Sequence, residues 1–359
     1  MYPTQSKEFI QERIKNAPGA FDKWRSFPPY YYDLIARLVK GQDLKARQGM
    51  CAGDPHLENF GFIASGAEPL FTINDLDDVT TCSLNADLMR LFIAQRLMNP
   101  AIKSEAFLAN YAAGMSGREC VQPKFIKKLA KDSVKKGKDL SKKNKALLES
   151  QACTGDYQAL SASEKAMLEN FVKAENGDKS CLASDVLSPE LRTLAKTVVN
   201  ADPKEIIHAC SRTKDSGGSA GGKRFLVFRK SSAGVVDAFE LKPLVKSAPD
   251  YQLNVTNASR KVQFEKAVAT YLSPELKEHY YPVTLNNVLY QRRPVWGGNE
   301  DVKAEEVPAE EQEAIMLFET CTLGKLHGKS KAGSFAPEAK AWQSLAEKIE
   351  TQFKAEFKN

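Results

Sequence analysis

The sequence predicts an α+β protein built as two lobes. Three observations carry this. The chain has 359 residues, more than one compact core usually holds. One strand-rich region, between 203 and 291, is flanked on both sides by stretches with helical periodicity. A composition of 42% hydrophobic and 27% charged residues is that of an ordinary globular protein. It excludes a largely disordered chain, a fibre and a membrane bundle, and no apolar run approaches the ~20 residues that cross a bilayer.

Taken in order, residues 1–47 read as helix, ending in the apolar-periodic run Asp33-Leu-Ile-Ala-Arg-Leu-Val39 before the stop signal Gly41. Residues 48–80 change character. Gly49, Gly53, Gly61 and Gly66 separate two apolar runs, Phe60-Gly-Phe-Ile63 and Leu70-Phe-Thr-Ile73, giving loop, strand, turn and strand. Helix resumes over 84–116, where Leu84, Leu88, Leu91, Phe92 and Leu97 recur near the 3.6-residue period. Residues 120–200 are polar and helical, with a turn at Gly177-Asp178.

A strand pattern takes over at 203–245, where Phe225-Leu-Val-Phe228 and 235–241 flank a hairpin turn through Ser231, Ser232 and Gly234. A helix over 255–272, a strand at Asn287-Val-Leu-Tyr-Gln291, an acidic Pro-containing linker over 298–312 and two helices complete the chain. The domain boundaries follow. Residues 1–200 form a helical part, 201–297 a strand-rich part, and 298–359 a linker and helices that return to the first part.

The net charge of +6 is mild and mostly local. Residues 124–145 hold ten Lys and two Asp, a local charge of +8 (ten minus two). The segment has no Arg and only Phe125 as an aromatic, so base stacking is poorly supported and a nucleic-acid partner is not expected. A solvated helical face explains it as well. Seven cysteines are spread singly, without a C-x-x-C pair, and four His are scattered. This argues against a disulfide framework and a zinc site, and for a reducing, cytoplasmic location. The N-terminus is polar and carries no signal-peptide pattern.

The most specific signal is Gly53-Asp-Pro-His-Leu-Glu-Asn59, followed by Phe71-Thr-Ile-Asn-Asp-Leu-Asp-Asp78 and Asp87-Leu-Met-Arg90. Asp and Asn are common turn residues, but three acidic elements beside apolar strands exceed what turns need. Phosphoryl transfer uses such a set: one carboxylate orients the attacking hydroxyl, while an Asn and a second carboxylate hold Mg²⁺ against a triphosphate. Asn59 and Asp75 offer suitable oxygen ligands. Further on, Ser216-Gly-Gly-Ser-Ala-Gly-Gly222 feeds a hairpin with Lys242 on its second strand. Backbone N–H groups at Gly218, Ser219 and Gly221 can approach phosphates, and Lys242 can neutralise their charge. Glu265, on a stripe with Val268 and Leu272, is the candidate ion-pair partner of Lys242, with Glu240 as its competitor.

These motifs resemble those of the aminoglycoside-phosphotransferase-like branch of the protein-kinase-like fold, which carries G-D-x-x-x-x-N, then I-D-[FW]-D/E, then D-L-A. They are closer still to a bacterial family of unknown function with G-D-x-H-L-E-N-F-G, N-D-F-D and D-L-x-R-L, matched here by 53–61, 74–77 and 87–91. The resemblance implies that Asp54 is the catalytic base, Asn59 and Asp75 are metal ligands and Asp77 is a second one. It implies that Asp87 holds the catalytic loop from the helix start, and that Arg90 pairs with one of these carboxylates. The glycine loop and its Lys follow the catalytic loop instead of preceding it. Phe318–Lys329 resembles the L-x-x-L-H helix that normally leads into that loop, yet lies near the chain end. The implied architecture is a circularly permuted protein-kinase-like two-lobe fold.

The expected activity is an ATP- and Mg²⁺-dependent phosphotransferase acting on a small-molecule or protein acceptor. Ser216, Ala52 and Glu240 depart from the family pattern. They keep open a pseudokinase or nucleotide-gated interaction module, and an enzyme of this fold that transfers AMP.

Overall fold

A computed structural model describes residues 12, 14–39, 47–63, 69–149, 206–213, 223–230, 236–253, 258–285, 288–294, 299–330 and 339–357. The turns expected at 177–178 and 231–234 and the glycine segment 216–222 lie outside these residues. The chain divides into two compact units. One gathers Met1–Ser133, Val245–Pro274 and Asn299–Asn359; the other gathers Val134–Leu244 and Glu275–Gly298. Residues 245–274, expected with the strands, belong instead with the first unit. Side-chain bonds explain this: Tyr271 Oη donates to Met50 O at 2.7 Å, and Thr80 Oγ1 donates to Gln263 Oε1 at 2.8 Å.

In the first unit, the single helix expected over 1–47 includes two described helices, Ala20–Ser26 and Pro28–Leu38. Phe27 breaks them at φ −148°, ψ 81°. The residue before proline is pushed out of the α region, whereas Pro28 and Pro29 suit a first helical turn. The second helix buries Tyr31, Tyr32, Leu34 and Ile35.

Phe60–Ile63 is the centre of a three-stranded antiparallel sheet, between Leu70–Ile73 and Glu300–Asp301. Gln48–Cys51 pairs with Thr80–Ser83 in a second sheet. The helix expected over 84–116 is two, Leu84–Met98 and Ser104–Met115, because Pro100 interrupts the periodic run. The first of these is buried on most of its circumference from Leu84 to Gln95.

Gln312–Gly328 packs against Ser104–Met115 at backbone distance. A Cβ on Gly114 would lie 1.9 Å from Cys321 O, and one on Gly324 would lie 2.3 Å from Tyr111 O. Only glycine permits that approach. The last helix, Ala339–Glu356, buries Trp342, Ala346, Ile349 and Phe353 at helical spacing. Phe353 meets the Trp24 ring edge-on at 4.9 Å.

The second unit holds a five-stranded antiparallel sheet in the order Ile206–Thr213, Lys223–Lys230, Val236–Pro243, Val288–Pro294, Tyr281–Leu285. The first lies in the stretch 203–245 read as a strand pattern, and the last was not apparent from the sequence. The middle strand is buried on both faces near its end. Phe239 and Leu241 lie on one face, Glu240 and Lys242 on the other.

The cysteines correct an expectation. Cys51 is bonded to Cys82 and Cys120 to Cys321. Strand pairing makes the first bond, since Cys51 faces Thr80 and Cys82 faces Gly49 in register. The close packing of Gln312–Gly328 makes the second. Spacing along the chain carries no trace of either, so the argument from single cysteines to a reducing compartment loses its basis.

Candidate active site

The site is built on Asp87, in the first turn of Leu84–Met98 and fully buried. Its Oδ2 accepts from Ala52 N and its Oδ1 from Gly53 N, each at 2.8 Å. Tyr32 Oη donates to Gly53 O at 2.7 Å. Asp87 and Tyr32 thus hold the peptide units that lead into Asp54 from both sides. Gly53 has φ +80°, and a Cβ there would lie 2.0 Å from Asp78 O. Both facts demand glycine. They also press the 53–59 loop against the acidic loop 74–79.

A second anchor reaches Asp87 from near the other end of the chain. His327 Nε2 donates to Asp87 Oδ2 at 3.0 Å, and Tyr111 Oη donates to His327 Nδ1 at 2.9 Å. A carboxylate accepts only, which assigns this tautomer. The glycine approach at 114 and 324 brings these two side chains together. Three residues beyond His327, Ser330 Oγ accepts from Met50 N at 3.1 Å. The helix that carries His327 therefore ends against the strand that enters the Asp54 loop.

Asp54 is gripped by Arg90, whose Nε donates to Oδ1 at 2.8 Å. The Arg90 guanidinium is fully buried, 5.4 Å from the Trp24 ring centre and 5.2 Å from that of Tyr31. Burial raises the Asp54 carboxyl above its ordinary range; the Arg90 charge and bonds oppose this, and Asp75 and Asp87 reinforce it. The other oxygen, Oδ2, lies 3.7 Å from His56 Nε2. His56 is buried against the edge of Phe21. Burial, then the Arg90 and Arg25 charges, hold its pKa well below the usual value, so its ring is neutral.

Asn59 Nδ2 donates to Asp54 O at 2.9 Å, which turns the amide and leaves Oδ1 to ligate. Asn74 N donates to Asn59 O at 3.0 Å, joining the two loops. In the acidic loop, Asp75 Oδ1 accepts from Asp77 N at 3.3 Å. Arg260 donates to Val245 O at 2.9 Å and to the Asp77 and Val79 carbonyls, fixing the loop's backbone. Asp78 Oδ1 accepts from Ala248 N at 2.7 Å. Burial, then the Asp54 charge, raises Asp78 to about 6.

Asp54, Asn59 and Asp75 thus lie on adjoining segments of one unit, with Asp87 on the helix that anchors them. The donors there are oxygens, which suits a hard divalent cation. Gly218, Ser219 and Gly221 lie outside the described residues. Lys242 is buried on its strand, opposite Gln291. Glu240, the expected competitor of Glu265 as its partner, is bonded to Arg224 at 3.1 Å and Arg293 at 2.7 Å. Glu265 departs from expectation. The buried stripe of its helix is Phe264, Ala267, Val268 and Tyr271, so Glu265 falls outside it, half exposed, 4.0 Å from Lys261. Cys51, Cys82 and Asp87 place ligand atoms within 4.8 Å of one another. The two sulfurs are spent on each other and Asp87 is fully bonded, so this cluster is structural.

Sequence reasoning assigned no role to Tyr32, Tyr111, His56 or Arg260. His56 stood inside the quoted motif; the other three act through tertiary contacts that no local pattern records. No curated protein and no solved structure matches the chain. The model of a family of uncharacterised proteins conserved in bacteria (DUF2252) matches residues 30–215, which include Tyr32, Asp54, Asn59, Asp75, Asp87, Arg90 and Tyr111. That match spans more than half of the chain, and the protein belongs to this family.

Proposed function

We propose that this protein is an ATP- and Mg²⁺-dependent phosphotransferase with a circularly permuted kinase-like arrangement. The observation that carries the reading is the meeting at Asp87. His327 and Ser330, near the chain's end, adjoin the strand and loop that present Asp54. A kinase-like chain would run straight from such a helix into such a loop. Here the same neighbours are reached in swapped order, as a permutation requires.

In this reading Asp54 Oδ2 accepts the proton of the acceptor hydroxyl as its oxygen bonds to the γ-phosphorus. The bond from γ-phosphorus to the bridging oxygen breaks, and ADP leaves. The raised pKa of Asp54 favours proton acceptance, and Arg90 on Oδ1 fixes which oxygen faces the acceptor. Asn59 and Asp75 would hold Mg²⁺, which supplies charge neutralisation at the phosphate oxygens. The acceptor is a small molecule or a protein hydroxyl.

Asp54→Asn keeps the shape and removes the base. The reading expects at least a hundred-fold loss of phosphoryl transfer with retained ATP binding, the order of effect general bases supply. Intact-mass analysis of acceptor fractions identifies the group moved: a gain of about 80 Da marks phosphoryl and about 329 Da adenylyl. Undiminished transfer by the variant would remove Asp54 from the mechanism.

The departures at Ala52, Ser216 and Glu240 keep a second reading, a nucleotide-gated interaction module. That reading expects nucleotide to raise the Tm without any ATP being consumed.

A further inference from the structure

The helix Lys124–Glu149 has no part in the site described above. Its first half is sharply two-faced. Ile126, Leu129 and Ser133 are buried, while Lys124, Lys127, Lys128, Lys131 and Lys135 are exposed. At 3.6 residues per turn the five lysines fall within about 100° of arc, along about 16 Å of axis. The same spacing continues in the sequence at Lys138, Lys142 and Lys145. None of the five exposed ammonium groups has a carboxylate partner among the described residues; the half-exposed Asp132 flanks the row, and Glu311, whose Oε2 accepts from Phe125 N at 2.9 Å, stands at its start. Elsewhere Lys261, Lys303 and Lys354 each lie beside a Glu one turn away. Like charges at three- and four-residue spacing repel along a helix. This face therefore carries an unfavourable field that an external anionic surface would relieve.

The geometry points to this lysine row as a docking surface for an anionic phospholipid bilayer. A straight row of point charges matches a plane of headgroups. Arg forks and aromatic platforms, which grip nucleic acid, are missing from residues 124–145 apart from the half-buried Phe125. Val121, 88% exposed, stands three residues before the row, where a small apolar side chain can enter the interface. The apolar face of the helix is already covered by protein. Binding is thus electrostatic, without insertion of the helix.

Co-sedimentation with vesicles tests this. The full chain should pellet with phosphatidylcholine vesicles containing phosphatidylserine, not with phosphatidylcholine alone, and raised salt should release it. Each lysine at such a surface contributes about five-fold in partitioning. Lys127→Gln with Lys131→Gln should therefore lower binding about 25-fold. Lys340→Gln with Lys348→Gln, exposed positions on Ala339–Glu356, should leave it unchanged. Circular dichroism checks that both variants stay folded. Equal binding to neutral vesicles, no binding to anionic vesicles at low salt, an equal effect of the two variant pairs, or tighter binding to duplex DNA or RNA at the same salt would each overturn the proposal.

Discussion

Asp87 accepts hydrogen bonds from two backbone N–H groups and an imidazole, all without solvent. Bonds to a charged group contribute about 1.5–3 kcal/mol each when made, and a buried donor left without its acceptor costs a similar amount. Asp87→Asn keeps the volume but turns an NH₂ toward donors. Denaturant unfolding should show a loss of about 3 kcal/mol; a loss below about 1 kcal/mol would mean that Asp87 is not the anchor of the loop. At this scale much was legible. Asp54, Asn59, Asp75 and Asp87 lie in three short motifs, and chemistry limits what such residues do together. Tyr32 and Tyr111 were not legible, because their hydroxyls meet Gly53 and His327 only after helices have packed.

Among the elements, strong periodicity and compact apolar runs such as Phe60–Ile63 and Leu70–Ile73 were readable, and short polar strands were not. Gln48–Cys51 and Thr80–Ser83 have four residues each, too few for an alternating pattern to emerge. The strand Tyr281–Leu285 was likewise hidden by its length, whereas the break before Pro100 was written in the sequence and overridden by the run of leucines. The last helix was readable from its apolar spacing, but its docking was not. Glu356 accepts from Arg37 at 3.2 Å and from the Tyr30 hydroxyl. Burial pushes its carboxyl up, yet the bonds from Arg37, Tyr30 and Gln352 outweigh this and bring it down to about 2. The folded pKa lies below the unfolded value of 4.5. The stabilisation is therefore complete above pH ~4.5 and is lost as pH falls toward 2. The pair is partly solvated, so the effect is below about 1 kcal/mol. Wild type should lose that margin over Glu356→Gln between pH 4.5 and 2; parallel acid curves would refute it.

For the whole molecule, two long-range links decide how the chain closes on itself. One is the contact of Ser330 with Met50, the other the bond between Cys120 and Cys321 across 201 residues. In the chain-entropy account a loop of that size stabilises by about 5 kcal/mol, less any native strain. Cys321→Ala should lower unfolding stability by about 2–5 kcal/mol, and reductant should then leave the Cys120–Cys321 contribution already absent. An unchanged stability would show that the bond adds nothing to the helix packing. Chain length and the strand-rich region suggested more than one compact part, and the order of the motifs carries the proposed permutation. Neither revealed that 245–274 joins the first unit, since that depends on what Arg260 and Tyr271 reach.

Calorimetric titration of the folded protein with ATP, with and without Mg²⁺, tests the central claim most directly. The account predicts Mg²⁺-dependent binding that Asp54→Asn retains and Asp75→Ala weakens at least ten-fold, about 1.4 kcal/mol. Absence of binding, or binding indifferent to both Mg²⁺ and Asp75, would contradict it.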